Sequence, residues 1–132
     1  ARKNLEAGHT TRPVTAAILR HAKPGEPVAH WGVRFEDLTR AGVSMGTRDA
    51  HIERALYPSR QQQYYLDRFI EDVQARKPRV LVDTNDLEIF QRFRLPNFPK
   101  ENDAIQEFYY LVEEIDGVHI YVRNDAVASS EE

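Results

Sequence analysis

The run Arg79-Val80-Leu81-Val82-Asp83 constrains this chain more than any other segment. A strand covered on one face alternates apolar and polar residues, whereas Val-Leu-Val has no polar residue to offer to water. Such a run implies a strand buried on both faces, and therefore a sheet flanked by helices. The element before it agrees. Ser59 and Gln62, just after Pro58, have the spacing of a capping box. Leu66, Phe69, Ile70 and Val73 then recur at i, i+3, i+4 and i+7, the core face of an amphipathic helix. That helix ends near Lys77, because a residue before proline avoids helical geometry.

Working outward, Thr10 and Thr11 are N-cap candidates and Pro13 suits a first helical turn. Val14, Ala17, Ile18 and Ala22 follow helical spacing, and Pro24-Gly25 stops the helix. Pro27 to Trp31 is short, apolar and bounded by Gly25 and Gly32, as a core strand would be. Arg34 to Ala41 suits a short helix with Phe35 and Leu38 inward, closed by Gly42. Gly46 and Asp49 mark turns, and Ala50 to Glu53 reads as a further strand. After Asp83 a helix is expected near Asp86 to Phe93, then a loop over Leu95 to Asn102, then a helical turn within Asp103 to Phe108. Tyr109 to Ile115 and Val118 to Arg123 flank Asp116-Gly117, a dipeptide that favours a two-residue hairpin turn. The sum is an α/β domain over residues 10–125, preceded by a polar arm (1–9) and followed by a polar tail (126–132). Its expected form is three-layer and Rossmann-like: a mixed sheet, mostly parallel, with a C-terminal antiparallel hairpin and helices on both faces.

Composition closes off several classes of function. The chain has 132 residues, enough for a real core, and a net charge of −3, which argues against a nucleic-acid partner. With no cysteine, disulfides and thiolate metal sites are excluded. No apolar run approaches the roughly 18 residues of a membrane helix. The five histidines, His9, His21, His30, His51 and His119, show no metal-ligand spacing, so neither a metal site nor a cofactor is expected. Gly42 to Gly46 lacks the third glycine of a dinucleotide fingerprint and the lysine of a P-loop. Ser44 and Ser59 have no nucleophile elbow around them. Tyr64 and Tyr65, with Tyr57, suggest a stacking surface for a sugar, but half-buried helix tyrosines account for them more simply.

In open α/β sheets ligands collect beyond the carboxyl ends of the strands. Those ends hold His30 and Trp31 after one strand and Asp83, Thr84, Asn85 and Asp86 after another. His30, Trp31, Asp83, Asn85 and Asp86 are therefore the candidate ligand-binding residues, and a histidine beside carboxylates is equipped for acid–base work. The simpler account is that Asp83 to Asp86 cap the following helix. No residue qualifies as catalytic.

Three segments together resemble a known family. Pro24-Gly25-Glu26-Pro27-Val28-Ala29-His30-Trp31-Gly32, Lys77-Pro78-Arg79-Val80-Leu81-Val82-Asp83 and Gly117-Val118-His119-Ile120-Tyr121-Val122-Arg123 resemble segments of bacterial polytopic membrane glycosyltransferases related to the protein mannosyltransferases and arabinosyltransferases. The likeness spans about Thr10 to Asp125. It implies a soluble domain that follows the last membrane helix on the extracytoplasmic, periplasmic side. The family's catalytic carboxylates lie in loops between membrane helices, so none carries over to this chain. The expected role is then non-catalytic: positioning an acceptor, a glycan or a lipid-linked sugar, or contacting a partner such as the parent membrane domain. Two other readings stand beside it. One is a free-standing small enzyme or nucleotide-binding module with a crevice near His30 and Asp83. The other is a structural interaction domain.

Overall fold

The computed structural model describes residues 12–32, 34, 36–49, 53–85 and 88–124. The expected arm (1–9), the Thr10 and Thr11 caps, Phe35, Asp86 and the tail (126–132) lie outside these residues. The elements in order are α1 (Pro13–His21), β1 (Pro27–Trp31), α2 (Glu36–Ala41), β2 (Ser44–Met45), α3 (Glu53–Leu56), α4 (Gln62–Arg76) and β3 (Val80–Asp83). Two 3-10 helices follow, Glu88–Phe93 and Leu95–Asn97, then α5 (Pro99–Gln106), β4 (Tyr109–Ile115) and β5 (Val118–Arg123).

The five strands form one sheet in the order β2-β1-β3-β5-β4. β1 pairs in parallel with β2 and with β3, while β3–β5 and β5–β4 are antiparallel. The expected mostly parallel sheet is thus parallel in only two of its four pairings. The reason is topological: β5 returns beside β3 itself, so the hairpin extends the sheet from its centre. Every residue of β3 is buried, as its unbroken apolar run requires. Alternate residues of the central strands feed two hydrophobic clusters. Ala29, Trp31, Leu81 and Tyr121 join Phe69, Val73, Leu95 and Ile105 from α4, the second 3-10 helix and α5. Val28, Val80, Val82 and Ile120 join Ala17, Ile18 and Leu38 from α1 and α2. Trp31 anchors the first cluster, with Phe69 and Phe98 presented edge-on at 5.1 and 5.2 Å.

Several boundaries differ from those expected. The second strand is Ser44–Met45; of the strand expected over Ala50 to Glu53, residues 50–52 lie outside the described residues, and Glu53 opens the helix Glu53–Leu56. The short strand forms because Ser44 and Gly46 donate backbone N–H groups to Glu26 and Val28 along β1. Ser59 and Gln62 do not form a capping box. The Ser59 hydroxyl takes the Gln61 N–H at 3.2 Å, and the Gln62 amide instead donates to the Ala55 carbonyl at 3.0 Å, clamping the end of α3. The helix expected near Asp86 to Phe93 is a 3-10 helix from Glu88. The loop expected over Leu95 to Asn102 is a second 3-10 turn followed by α5, whose Pro99 sits in its first turn, where proline is tolerated. The hairpin is as expected: Asp116 and Gly117 take φ of 50° and 81°, the positive values a type I′ turn needs.

Polar ties hold the periphery to this frame. Thr15 donates to Asp37 at 2.7 Å, joining α1 to α2. Arg79 grips Glu26 at 2.9 and 3.0 Å and the His21 carbonyl at 2.7 Å, fixing the entry to β3. Arg20 and His21 both reach Glu113, tying α1 to β4. Asp72 on α4 accepts the Arg48 backbone N–H at 2.9 Å and its guanidinium at 2.9 Å, holding the 46–49 turn.

Burial raises the pKa of the Asp72 carboxyl, but the side chain and backbone of Arg48 outweigh it, so the group sits below the ordinary carboxylate range. A lowered folded-state value means stability that is present above the unfolded value and lost as pH falls through the folded one. Asp72→Asn is therefore expected to cost about 1 kcal/mol near neutrality, modest because Arg48 is 39% exposed to screening solvent. Denaturant melts of both proteins should converge as pH drops below about 4. Leu81→Ala, at a site with 0% exposure, is expected to cost about 2–5 kcal/mol in the same assay.

Candidate functional site

The carboxyl ends of β1 and β3 lie side by side, with Trp31 opposite Asp83 and His30 opposite Val82 in the parallel register. Successive side chains of a strand leave opposite faces, so Asp83 shares a face with Trp31 while His30 points through the other. His30 and Asp83, the expected acid–base couple, are not brought together.

On one face the His30 imidazole Nε2 lies 2.6 Å from the Thr84 hydroxyl, and both side chains are buried. The Thr84 backbone N–H extends the ladder to the Trp31 carbonyl at 3.1 Å. Gly32 makes this junction possible: a Cβ there would lie 2.3 Å from Thr84 Oγ1. Residue 32 must let the ends of β1 and β3 close on one another, and only glycine does so.

On the opposite face Asp83 is wholly buried and its two oxygens are filled. Oδ1 accepts the Asn85 backbone N–H at 2.9 Å and the Asn85 amide at 3.1 Å, and Oδ2 accepts the Leu95 N–H at 3.0 Å. The Asn85 amide also donates to the Phe93 carbonyl at 3.2 Å, which takes the Trp31 indole N–H at 2.8 Å as well. The expected capping role of this segment is thus altered. Asp83 organises its own turn and fastens the start of the second 3-10 helix, 12 residues downstream. Of the five candidates, Trp31, Asp83 and Asn85 form one network, His30 belongs to another, and Asp86 lies outside the described residues.

Burial pushes the Asp83 carboxyl up, while the Leu95 and Asn85 N–H groups and the nearby His119 and Arg94 pull it back only in part. Burial also pushes the Tyr121 phenol up to about 12, assisted by the charge of Asp83. His119 faces Asp83 across the β3–β5 pairing, and Arg94 Nη1 lies 2.6 Å from His119 Nε2.

Chemically, this arrangement fastens chain segments together. Asp83 is wholly buried with N–H donors on both oxygens, and its histidine neighbour by sequence expectation faces away. Among the described residues, no group of three or more histidine or acidic side chains is placed to hold a metal ion. No described helix is long and apolar enough to cross a membrane.

Sequence reasoning missed Leu95, Phe93, Arg94, His119 and Tyr121. The hairpin itself was legible, but its placement beside β3 was not, and only that placement sets His119 opposite Asp83.

Asp83→Asn is expected to cost about 1–3 kcal/mol, since a single carbonyl replaces two oxygens and an amide N–H meets a donor. The folded-state carboxyl value is raised, so its contribution is complete below the unfolded value and lost as pH rises through the folded one. The stability gap between wild type and Asp83→Asn should narrow with rising pH across that window. A gap that widens would contradict this assignment. Comparisons with known proteins add no neighbour: no protein-family model, curated protein or solved structure matches the chain at a significant level.

Proposed function

We propose that this chain is a non-catalytic, extracytoplasmic domain of a bacterial membrane glycosyltransferase, one that helps position an acceptor or glycan or contacts a partner. The observation that carries the non-catalytic reading is the use of Asp83: buried, with both oxygens taken by N–H groups of Asn85 and Leu95. A carboxylate spent in this way is a fastening, and the one histidine expected beside it lies on the other face of the sheet. Support for the parentage is the resemblance of the Trp31-Gly32 turn, the Arg79 to Asp83 strand and the Tyr121 strand to the transferases. Within this reading the domain is a three-layer, Rossmann-like unit. Support for that is the division of the core into two clusters drawn from alternate residues of β1, β3 and β5.

Contact with the parent membrane domain, or with a lipid-linked sugar it carries, would use the outer surface. Tyr110 and Leu111 on the edge strand β4 are 39% and 48% exposed and offer large apolar side chains on either face of that edge.

The full reading frame of the parent should encode several hydrophobic spans upstream of Ala1; a frame with none would overturn the proposal. In the parent enzyme, Tyr110→Ser with Leu111→Ser is expected to raise KM for the acceptor several-fold and leave kcat within about twofold, as loss of uniform binding does. Transfer activity by the isolated chain, assayed with a polyprenyl-phosphate sugar, would contradict a non-catalytic role.

A further inference from the structure

Arg94 sits between the two 3-10 helices, and its neighbours in sequence are both tied to the sheet. Phe93 accepts the Trp31 indole N–H, and Leu95 donates to Asp83. Its own side chain reaches β5, where Nη1 lies 2.6 Å from His119 Nε2. A guanidinium only donates. Nε2 must therefore present its lone pair, which makes the imidazole neutral and places its proton on Nδ1. That Nδ1 is buried and has no hydrogen-bond partner among the described residues.

We propose that His119 and Arg94 form a proton-operated latch, which ties the Arg94 end of the 88–97 segment to β5 when His119 is neutral and drops that tie when His119 takes up a proton. The chemistry is an exchange of one hydrogen bond. Protonation at Nε2 turns the acceptor into a donor, so the Arg94 contact is lost and two cations are left side by side. A replacement acceptor is in place, since Glu114 Oε2 on β4 lies 3.5 Å from Nε2. The other groups facing the imidazole are Asp83, its partner across the β3–β5 pairing, and the Tyr121 ring at 6.4 Å. Both favour the imidazolium or leave it unopposed, and Arg94 alone opposes it. The lost contact belongs to the segment that covers Trp31 and the carboxyl ends of β1 and β3, so protonation loosens a segment that Phe93 and Leu95 still fasten to Trp31 and Asp83. It stands apart from the membrane reading and would operate in a free domain as well.

The test uses the intact chain, labelled with nitrogen-15, followed by NMR between about pH 8 and pH 5, the range in which imidazoles titrate. At the alkaline end, long-range couplings should show the His119 proton on Nδ1. On acidification the Arg94 side-chain signals should move with the same midpoint as the His119 ring. Amide exchange at residues 93–97, corrected for intrinsic pH dependence, should quicken about tenfold. Burial also raises the Asp83 carboxyl, so the control is His119→Gln, which offers an acceptor oxygen at every pH and should abolish the acid step. A proton on Nε2 at alkaline pH in wild type would overturn the latch. So would an acid step that persists in His119→Gln. If that variant fails to fold, the wild-type tautomer and the shared midpoint decide the matter.

Discussion

The carboxylate of Asp83 is the point on which the upper end of this fold depends. It closes the last residue of the most buried strand, and its oxygens receive N–H groups from the turn that follows and from a helix start 12 residues away. A carboxylate buried without partners would cost several kcal/mol or shed its charge. Here two of the three donors are backbone N–H groups, which cannot leave without undoing the chain path. The 3-10 segment is therefore held by the need of Asp83 for donors as much as by the packing of Phe93 and Leu95 beneath it.

The same geometry accounts for the neighbours. Trp31 sits beside Asp83 in register and sends its indole N–H to Phe93, so the largest core side chain and the buried carboxylate fasten the same segment. On the other face, Gly32 lets Thr84 approach His30, and the two polar side chains satisfy one another inside an otherwise apolar cluster. His30, Thr84, Asp83 and the Asn85 N–H groups each have a partner in the chain, while the Asn85 side-chain carbonyl has none among the described residues. The end of the sheet that in other α/β proteins receives ligands is here closed by protein.

Much of this fold could be read from the amino acids. Unbroken Val80-Leu81-Val82 predicted a doubly buried strand, the Leu66, Phe69 and Val73 spacing predicted the core face of α4, and Asp116-Gly117 predicted the hairpin. These are local signals, and local physics decided them. The failures have a common cause. Leu95 to Asn102 is rich in Pro and Asn, the composition of a loop, yet Leu95 N–H docks on Asp83 and Pro99 opens a helix. Ser59 and Gln62 had capping-box spacing, yet the Ala55 carbonyl drew Gln62 away. Tertiary contacts overrode local preference in both places. The candidate site suffered most. His30 and Asp83 were both legible as strand-end residues, but a strand pairing shifted by one residue would have placed them together. The observed register, Trp31 against Asp83, puts them on opposite faces.

The central claim is that the polar residues at these strand ends are structural fasteners. Native-state amide exchange at Leu95 and Asn85 tests it most directly. Both N–H groups donate to the buried carboxylate, so at neutral pH they should exchange only through global unfolding, as slowly as the amides of β3. Exchange at either that is much faster than global unfolding would show the contacts to be loose, and would return Asp83 to the list of groups free to meet a ligand.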